Sequence, residues 1–255
     1  EDPADDAPTG QPLLRLAQSI GAVVWHRLLE VRERMRLREE VERLRFHGSA
    51  AHNAVLTSVR LQSIRQTLRE LANSSGAVLL VGEDGTERED LARYLHSQSN
   101  RCAHPFAAVN LSLLPDWRIE SELFGDEARG GGVIAKSRNG TLFIGEIAQL
   151  PAHLQEQLCT AVCPSQQSDL TPPRLVASAG ARPDQGDGSW YGPLLDELRA
   201  HVIWVPPLRD EPADILALAE LFLSDMGAGP DGGPRLLSER TKRILATYDW
   251  PGNVR

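Results

Sequence analysis

No apolar run in the 255-residue chain approaches the roughly 20 residues needed to span a bilayer. The opening stretch, Glu1-Asp2-Pro3-Ala4-Asp5-Asp6, is acidic and has no apolar segment of the kind a secretory leader carries. Both absences argue against a membrane partner and for a cytoplasmic protein. Cysteine is scarce. Cys102, Cys159 and Cys163 are too few for a disulfide framework, and no second cysteine or histidine pair completes a zinc set around Cys159 and Cys163, so they read as thiols in a reducing compartment. Excess positive charge is also lacking: 27 Lys and Arg stand against 35 Asp and Glu, for a net charge of -8 and a pI near 5.4. Such a chain repels a phosphate backbone, so any DNA contact belongs to a domain outside it. What remains, 41% hydrophobic and 24% charged residues, is the composition of an ordinary globular protein with room for one sizeable core.

Residues 1–10 read as a linker tail. Residues 11–46 carry a helical stripe: Val24, Leu28, Val31 and Met35, then a phase slip to Leu37, Val41 and Leu44, with arginine and glutamate elsewhere. A stripe this narrow fits a short coiled coil with one stutter, the alternative being a single solvated helix. From residue 47 onward, apolar segments of strand length (77–81, 106–109, 141–144, 175–177, 202–205) alternate with helical segments such as 88–96 and 152–162. Alternation of this kind predicts a parallel sheet with right-handed crossovers and helices on both faces over residues 47–210. Residues 211–255 read as helical only, broken by Gly and Pro at 227–234, which predicts a small helical subdomain.

The segment Gly82-Glu83-Asp84-Gly85-Thr86-Glu87-Arg88-Glu89 follows an apolar strand and opens a helix, the setting of a phosphate-binding loop. Against the pattern G-x-x-x-x-G-K-[ST], Glu87 stands at the second glycine and Arg88 at the lysine. That glycine lets backbone N–H groups close around phosphate, and a carboxylate there meets like charge. Two such charges about 4 Å apart cost on the order of 4 kcal/mol at an effective dielectric near 20. Arg88 keeps a cation of different shape.

The surrounding segments resemble the AAA+ domain of the bacterial enhancer-binding proteins that activate sigma-54. After the phosphate loop come Pro105-Phe106-Ala107-Ala108-Val109-Asn110, Glu120-Ser121-Glu122-Leu123-Phe124-Gly125, and Gly140-Thr141-Leu142-Phe143-Ile144-Gly145-Glu146-Ile147. Pro206-Pro207-Leu208-Arg209 and Tyr248-Asp249-Trp250-Pro251-Gly252-Asn253-Val254-Arg255 close the series. The resemblance covers about residues 46–255. It implies an AAA+ α/β fold with a helical lid, cut at Arg255 before the lid is complete and before any helix-turn-helix domain. It places Gly82 through Glu89 and Arg255 around a nucleotide. The stretch from Leu13 to Val24 resembles the last helix of a GAF-type sensory domain.

The departures from the family pattern carry the functional reading. In the resembled family an Asp organises Mg²⁺ and the next Glu polarises water; here the Asp position is Gly145, and Glu146 remains. Asn110 matches the switch partner of that Glu. The family's sensor asparagine falls on Gly180, and its two trans-acting arginines fall on Tyr191 and Glu197. Under a shifted register, Arg182 or Arg199 stands as a displaced finger. The sigma-contacting hexapeptide after Leu-Phe-Gly is missing, and Gly130-Gly131-Gly132 reads as a tight turn that patches the gap. Glu146 and Asn110 are therefore expected to be remnants, with no catalytic residue, no metal site and no required cofactor; ATP, ADP or another nucleotide is expected to bind weakly at most. The expected function is a transcription regulator with a pseudo-ATPase core, self-associating through its coil and AAA+ faces and serving RNA polymerase with a sigma factor other than sigma-54. The alternatives are a non-hydrolysing nucleotide switch and an antagonist that co-assembles with an active homologue.

Overall fold

A computed structural model of the chain describes residues 58–59, 61–126, 130–163, 171–181, 190–227 and 235–254. All belong to one compact unit, Ala50–Arg255. The expected linker tail, the helical stripe of residues 11–46, the GAF-like stretch, Arg182 and Arg255 lie outside the described residues.

In chain order the helices are α1 (Gln62–Glu70), α2 (Arg88–Ser97), α3 (Asp116–Phe124), α4 (Val133–Lys136), α5 (Ala152–Val162), α6 (Gly192–Arg199), α7 (Pro212–Asp225) and α8 (Glu239–Thr247). The strands are β1 (Val78–Val81), β2 (Phe106–Asn110), β3 (Gly125–Asp126), β4 (Gly130–Gly131), β5 (Thr141–Gly145), β6 (Arg174–Ala179) and β7 (Val202–Trp204). Five of them form a parallel sheet in the order β2-β5-β6-β1-β7. The five apolar segments of the sequence are these five strands, within two residues at each end.

Alternation along the strands builds two apolar layers. Leu79, Val81, Leu142 and Ile144 face one side and pack with Ile119 and Leu123 of α3, Leu154 and Leu158 of α5, and Leu194 and Leu198 of α6. Val78, Leu80, Phe143 and Val176 face the other and pack with Ile64 and Leu68 of α1 and Leu91 and Leu95 of α2. Strands buried on both faces read as near-continuous apolar runs, which is why β1 reads Val-Leu-Leu-Val. Each fully buried Leu contributes roughly 1.5–3 kcal/mol. Among the described residues no helix is long and apolar enough to cross a membrane.

The glycine triplet corrects one expectation. Gly130 and Gly131 form the return strand of a two-stranded antiparallel ribbon, paired Gly125↔Gly131 and Asp126↔Gly130, rather than a tight turn. The ribbon closes onto the end of α3. A Cβ at Gly132 would sit 2.3 Å from the Leu123 carbonyl oxygen, so close backbone approach is what requires glycine there.

Candidate functional site: the phosphate-loop cradle

The parallel register brings the candidate residues to one edge. Gly82 follows β1, Asn110 ends β2, Gly145 ends β5 and Gly180 follows β6, all at the carboxyl ends of neighbouring strands. In an open α/β sheet that edge is where ligands bind. The loop from Gly82 to Glu87 crosses it and enters α2.

The loop keeps the backbone of a phosphate loop despite its sequence. Glu87 adopts φ 62° and ψ 33°, the left-handed conformation the missing glycine would take without strain. A non-glycine residue pays about 1–2 kcal/mol for it. Thr86 is buried, and its hydroxyl donates to the Glu83 carbonyl at 2.7 Å. Gly82 has no room for a Cβ, which would meet the Val205 carbonyl oxygen at 2.6 Å.

Arg88, only 8% exposed, lies across the cradle. Its Nη2 reaches Asp84 Oδ1 at 2.9 Å and Glu146 Oε1 at 2.7 Å. Its Nη1 is buried and has no hydrogen-bond partner among the described residues. Glu146, the position resembling the water-polarising glutamate, is therefore engaged by a cation of its own chain. Glu89 sits just outside this group and pairs with Arg93 at 2.6 Å.

The expected partnership between Asn110 and Glu146 is not formed. Asn110 Oδ1 accepts from the Ser112 amide at 3.0 Å and from the Ser112 hydroxyl at 2.8 Å, capping the short 3₁₀ turn Leu111–Leu113. Gly180 does face the glutamate: a Cβ there would lie 3.9 Å from Glu146 Oε2, with no side chain to reach it. The two positions matched to trans-acting arginines serve the fold instead. Glu197 Oε1 accepts from the Ala77 amide at 2.9 Å at the entry to β1, and the Tyr191 amide donates to Gln155 Oε1 at 2.8 Å. Arg199 is half exposed and lies 3.8 Å from Asp196.

A divalent cation does not fit these residues. The position for its carboxylate is Gly145, where an added Cβ would already stand 3.1 Å from Asn110 Cγ. Glu146 is bound to Arg88, and among the described residues no three His, Cys, Asp or Glu side chains converge. The phosphate end of a nucleotide is better matched, by the Arg88 and Glu89 amides, which precede the first bonded amide of α2 (Asp90 to the Glu87 carbonyl at 3.0 Å), and by the charge of Arg88.

Sequence reading missed the residue that fastens the cradle. Asn253 is buried at left-handed φ 52°. Its Oδ1 accepts from the Leu208 amide at 2.7 Å, and its Nδ2 donates to the Asp84 carbonyl at 2.8 Å. The neighbouring Val254 amide donates to the Gly85 carbonyl at 3.1 Å, and a Cβ on Gly85 would strike the Gly252 carbonyl oxygen at 2.1 Å. Arg209 completes the contact with a two-pronged grip on Glu83, one arm at 2.8 Å, and holds that carboxyl below its ordinary pKa. The loop after α8 is thus bound directly to the phosphate loop. Asn253→Ala leaves the buried Leu208 amide without its acceptor and puts at φ 52° a residue that tolerates the left-handed conformation less well than asparagine, a loss of about 2 kcal/mol. Asn253→Gly removes the conformational share and isolates the hydrogen bonds. Urea unfolding midpoints measure both, and two variants within 0.5 kcal/mol of the parent, a threshold below the ~1 kcal/mol of one hydrogen bond, refute the role.

Comparison with known proteins agrees with this geometry. A family profile described as the Sigma-54 interaction domain matches residues 54–170. The transcriptional regulatory protein FlbD of Caulobacter vibrioides is 31% identical over 79% of this chain and 48% of its own length. The Sigma54-dependent transcriptional activator SfnR of Pseudomonas putida is 32% identical over 79% of this chain and 60% of its own. Crystal structures of NtrX from Brucella abortus in complex with ADP and with ATP superpose with TM-scores of 0.70 and 0.69, at 26% and 27% identity, over 91% of this chain and 55% of theirs. The chain spans about half the length of the curated relatives it matches. Residues 54–170, which carry the phosphate loop and the strands β1, β2 and β5 of the parallel sheet, thus match the sigma-54 interaction (AAA+) domain of the bacterial enhancer-binding protein family.

Proposed function

We propose that this chain is the AAA+ segment of a transcription regulator of the enhancer-binding type that has lost ATP hydrolysis and sigma-54 contact and serves as an oligomerisation and signal-relay scaffold. The observation that carries this reading is the 2.7 Å ion pair between Arg88 and Glu146 beside Gly145. Hydrolysis needs a metal anchor and a glutamate able to orient water; the anchor is a glycine and the glutamate is neutralised by its own chain. Glu197 and Tyr191, in place of trans-acting arginines, remove a further factor of roughly 10³–10⁵ in rate. Self-association through residues 11–46 and the AAA+ faces, DNA binding through a domain outside this chain, a cytoplasmic location, and action with a polymerase carrying a sigma factor other than sigma-54 complete the proposal. The last rests on the missing hexapeptide after Gly125.

The test is phosphate release from ATP by purified protein in Mg²⁺. Turnover at the background level, about 10³-fold or more below an intact AAA+ domain, is expected. Turnover at the rate of an intact domain refutes the proposal.

A further inference from the structure

We propose that Cys159 and Cys163 form a two-sulfur binding site for a trivalent arsenical carrying one organic group, a centre that two thiols complete. The site is independent of the cradle and of the function proposed above. The two cysteines stand one turn apart at the end of α5, Cys163 being its cap. Their sulfurs lie 3.7 Å apart and share an S–H···S hydrogen bond. Cys159 is 7% exposed within the core, whereas Cys163 packs on that core and is partly open to solvent.

The geometry selects the class of ligand. The helix is regular up to Cys163, whose amide still donates to the Cys159 carbonyl at 2.8 Å. Cβ atoms four residues apart on a helix are roughly 5–6 Å apart, too far for the roughly 3.5–4.5 Å of a disulfide, so joining the sulfurs directly means unwinding the last turn. A single soft atom between them needs no such movement. At about 2.3 Å from each sulfur, the length of a zinc–thiolate bond, it meets two sulfurs 3.7 Å apart at close to the tetrahedral angle. Zinc itself asks for four ligands and for thiolates. Among the described residues no group of three His, Cys, Asp or Glu side chains supplies such a set. Burial, then the hydrogen bond and charge of Cys159 and the charge of Glu197, push the Cys163 thiol up to about 12, so it is protonated at neutral pH. Trivalent arsenic accepts protonated thiols and leaves a neutral product, which suits a buried place. With the arsenical as R–As(OH)₂, the Cys163 thiol displaces one hydroxyl, forming S–As and breaking As–O, and the Cys159 thiol displaces the other. Each thiol proton leaves in a water molecule, and arsenic and sulfur keep their oxidation states. The second bond closes within one chain, which favours the pair over a single thiol by roughly 10²-fold or more.

The experiment is mass spectrometry of the full 255-residue chain carrying Cys102→Ser, which removes the exposed thiol, titrated with phenylarsine oxide in excess mercaptoethanol. One arsenical per chain is expected, resistant to that monothiol and removed by dimercaptopropanol. Cys163→Ser and Cys159→Ala in the same background, each checked by circular dichroism, are expected to weaken binding about 10²-fold or more. An adduct stripped by mercaptoethanol overturns the inference, as does unaltered binding in a folded variant of either cysteine. Zn²⁺ that blocks the arsenical at equal concentration overturns the class of ligand. Complete closure to an internal disulfide by oxidised glutathione, with the helix content unchanged, overturns the geometric ground.

Discussion

Asp90→Asn is expected to flatten the pH dependence of stability between about pH 4 and pH 8, and at pH 8 to leave the protein more stable than the parent by several kcal/mol. Asp90 lies in the first turn of α2, only 4% exposed, with Oδ1 buried and without a hydrogen-bond partner among the described residues. Burial above all, and then the neighbouring charges of Glu87 and Glu89, push its carboxyl from 3.8 up to about 8, against a smaller opposing pull from Arg93. The helix dipole favours an anion there by about 0.3–1 kcal/mol, too little to offset desolvation. A carboxyl whose pKa is higher folded than unfolded makes the native state bind the extra proton. Its contribution is therefore fully present below the unfolded value near 3.8 and is lost as pH rises to about 8. At 1.36 kcal/mol per unit, the loss is on the order of 4 kcal/mol by pH 7 and levels off above pH 8. Asparagine keeps the shape and removes the titration. Urea unfolding of both proteins at pH 5 and pH 8 measures the difference between the two slopes; parallel curves would sink the assignment. Asp90 is protonated at neutral pH, so it adds no negative charge to the cradle alongside Asp84, Glu87 and Glu146.

The sheet was legible because its strands are continuous apolar runs bounded by polar or glycine-bearing loops, a pattern that buried parallel strands impose on any sequence. The phosphate loop was legible as a motif and its departures as residue types. Legibility ended where a side chain chooses a partner. Asn110 pairs in register with Gly145, the residue before Glu146, yet Asn110 turns to Ser112 to cap a turn and Glu146 turns to the Arg88 guanidinium. Glu197 marks a lost arginine in the sequence, but its use as acceptor for the Ala77 amide depends on α6 lying beside β1. Asn253 meets Asp84 across 169 residues of chain, a pairing no local pattern encodes. Gly130-Gly131-Gly132 misled because glycine is the commonest turn residue, whereas here Gly130 and Gly131 pair with Asp126 and Gly125 and Gly132 makes a close backbone approach to α3. The function-bearing contacts are thus mostly long-range choices among polar groups, while the fold rests on short-range apolar periodicity.

Arg174→Met is expected to cost about 4 kcal/mol, although it touches no part of the cradle. Arg174 opens β6 and is 3% exposed. Its guanidinium donates to the carbonyls of Ala72 at 2.6 Å, Leu71 at 2.8 Å and Gly76 at 3.3 Å, and to the Ser74 hydroxyl at 3.3 Å. Leu71 and Ala72 follow directly on α1, so the cation sits at the negative end of that helix and binds carbonyls the helix leaves unsatisfied. Burial, with the nearby charge of Arg101, lowers its pKa to about 10, which leaves it charged at neutral pH. Two effects oppose each other on substitution. Removing a buried cation relieves its desolvation, and replacing such groups with apolar residues is sometimes neutral. That outcome requires the partners to be removed as well. Here the partners are backbone carbonyls that no side-chain change deletes, and each buried one left without a donor costs about 1–3 kcal/mol. The unsatisfied carbonyls therefore win. Arg174→Lys keeps the charge but loses the planar fork and recovers only part of the loss. Urea midpoints for the two variants measure the order Arg, Lys, Met; a methionine variant within 1 kcal/mol of the parent, the lower bound for a single orphaned carbonyl, would show that α1 ends without help from β6.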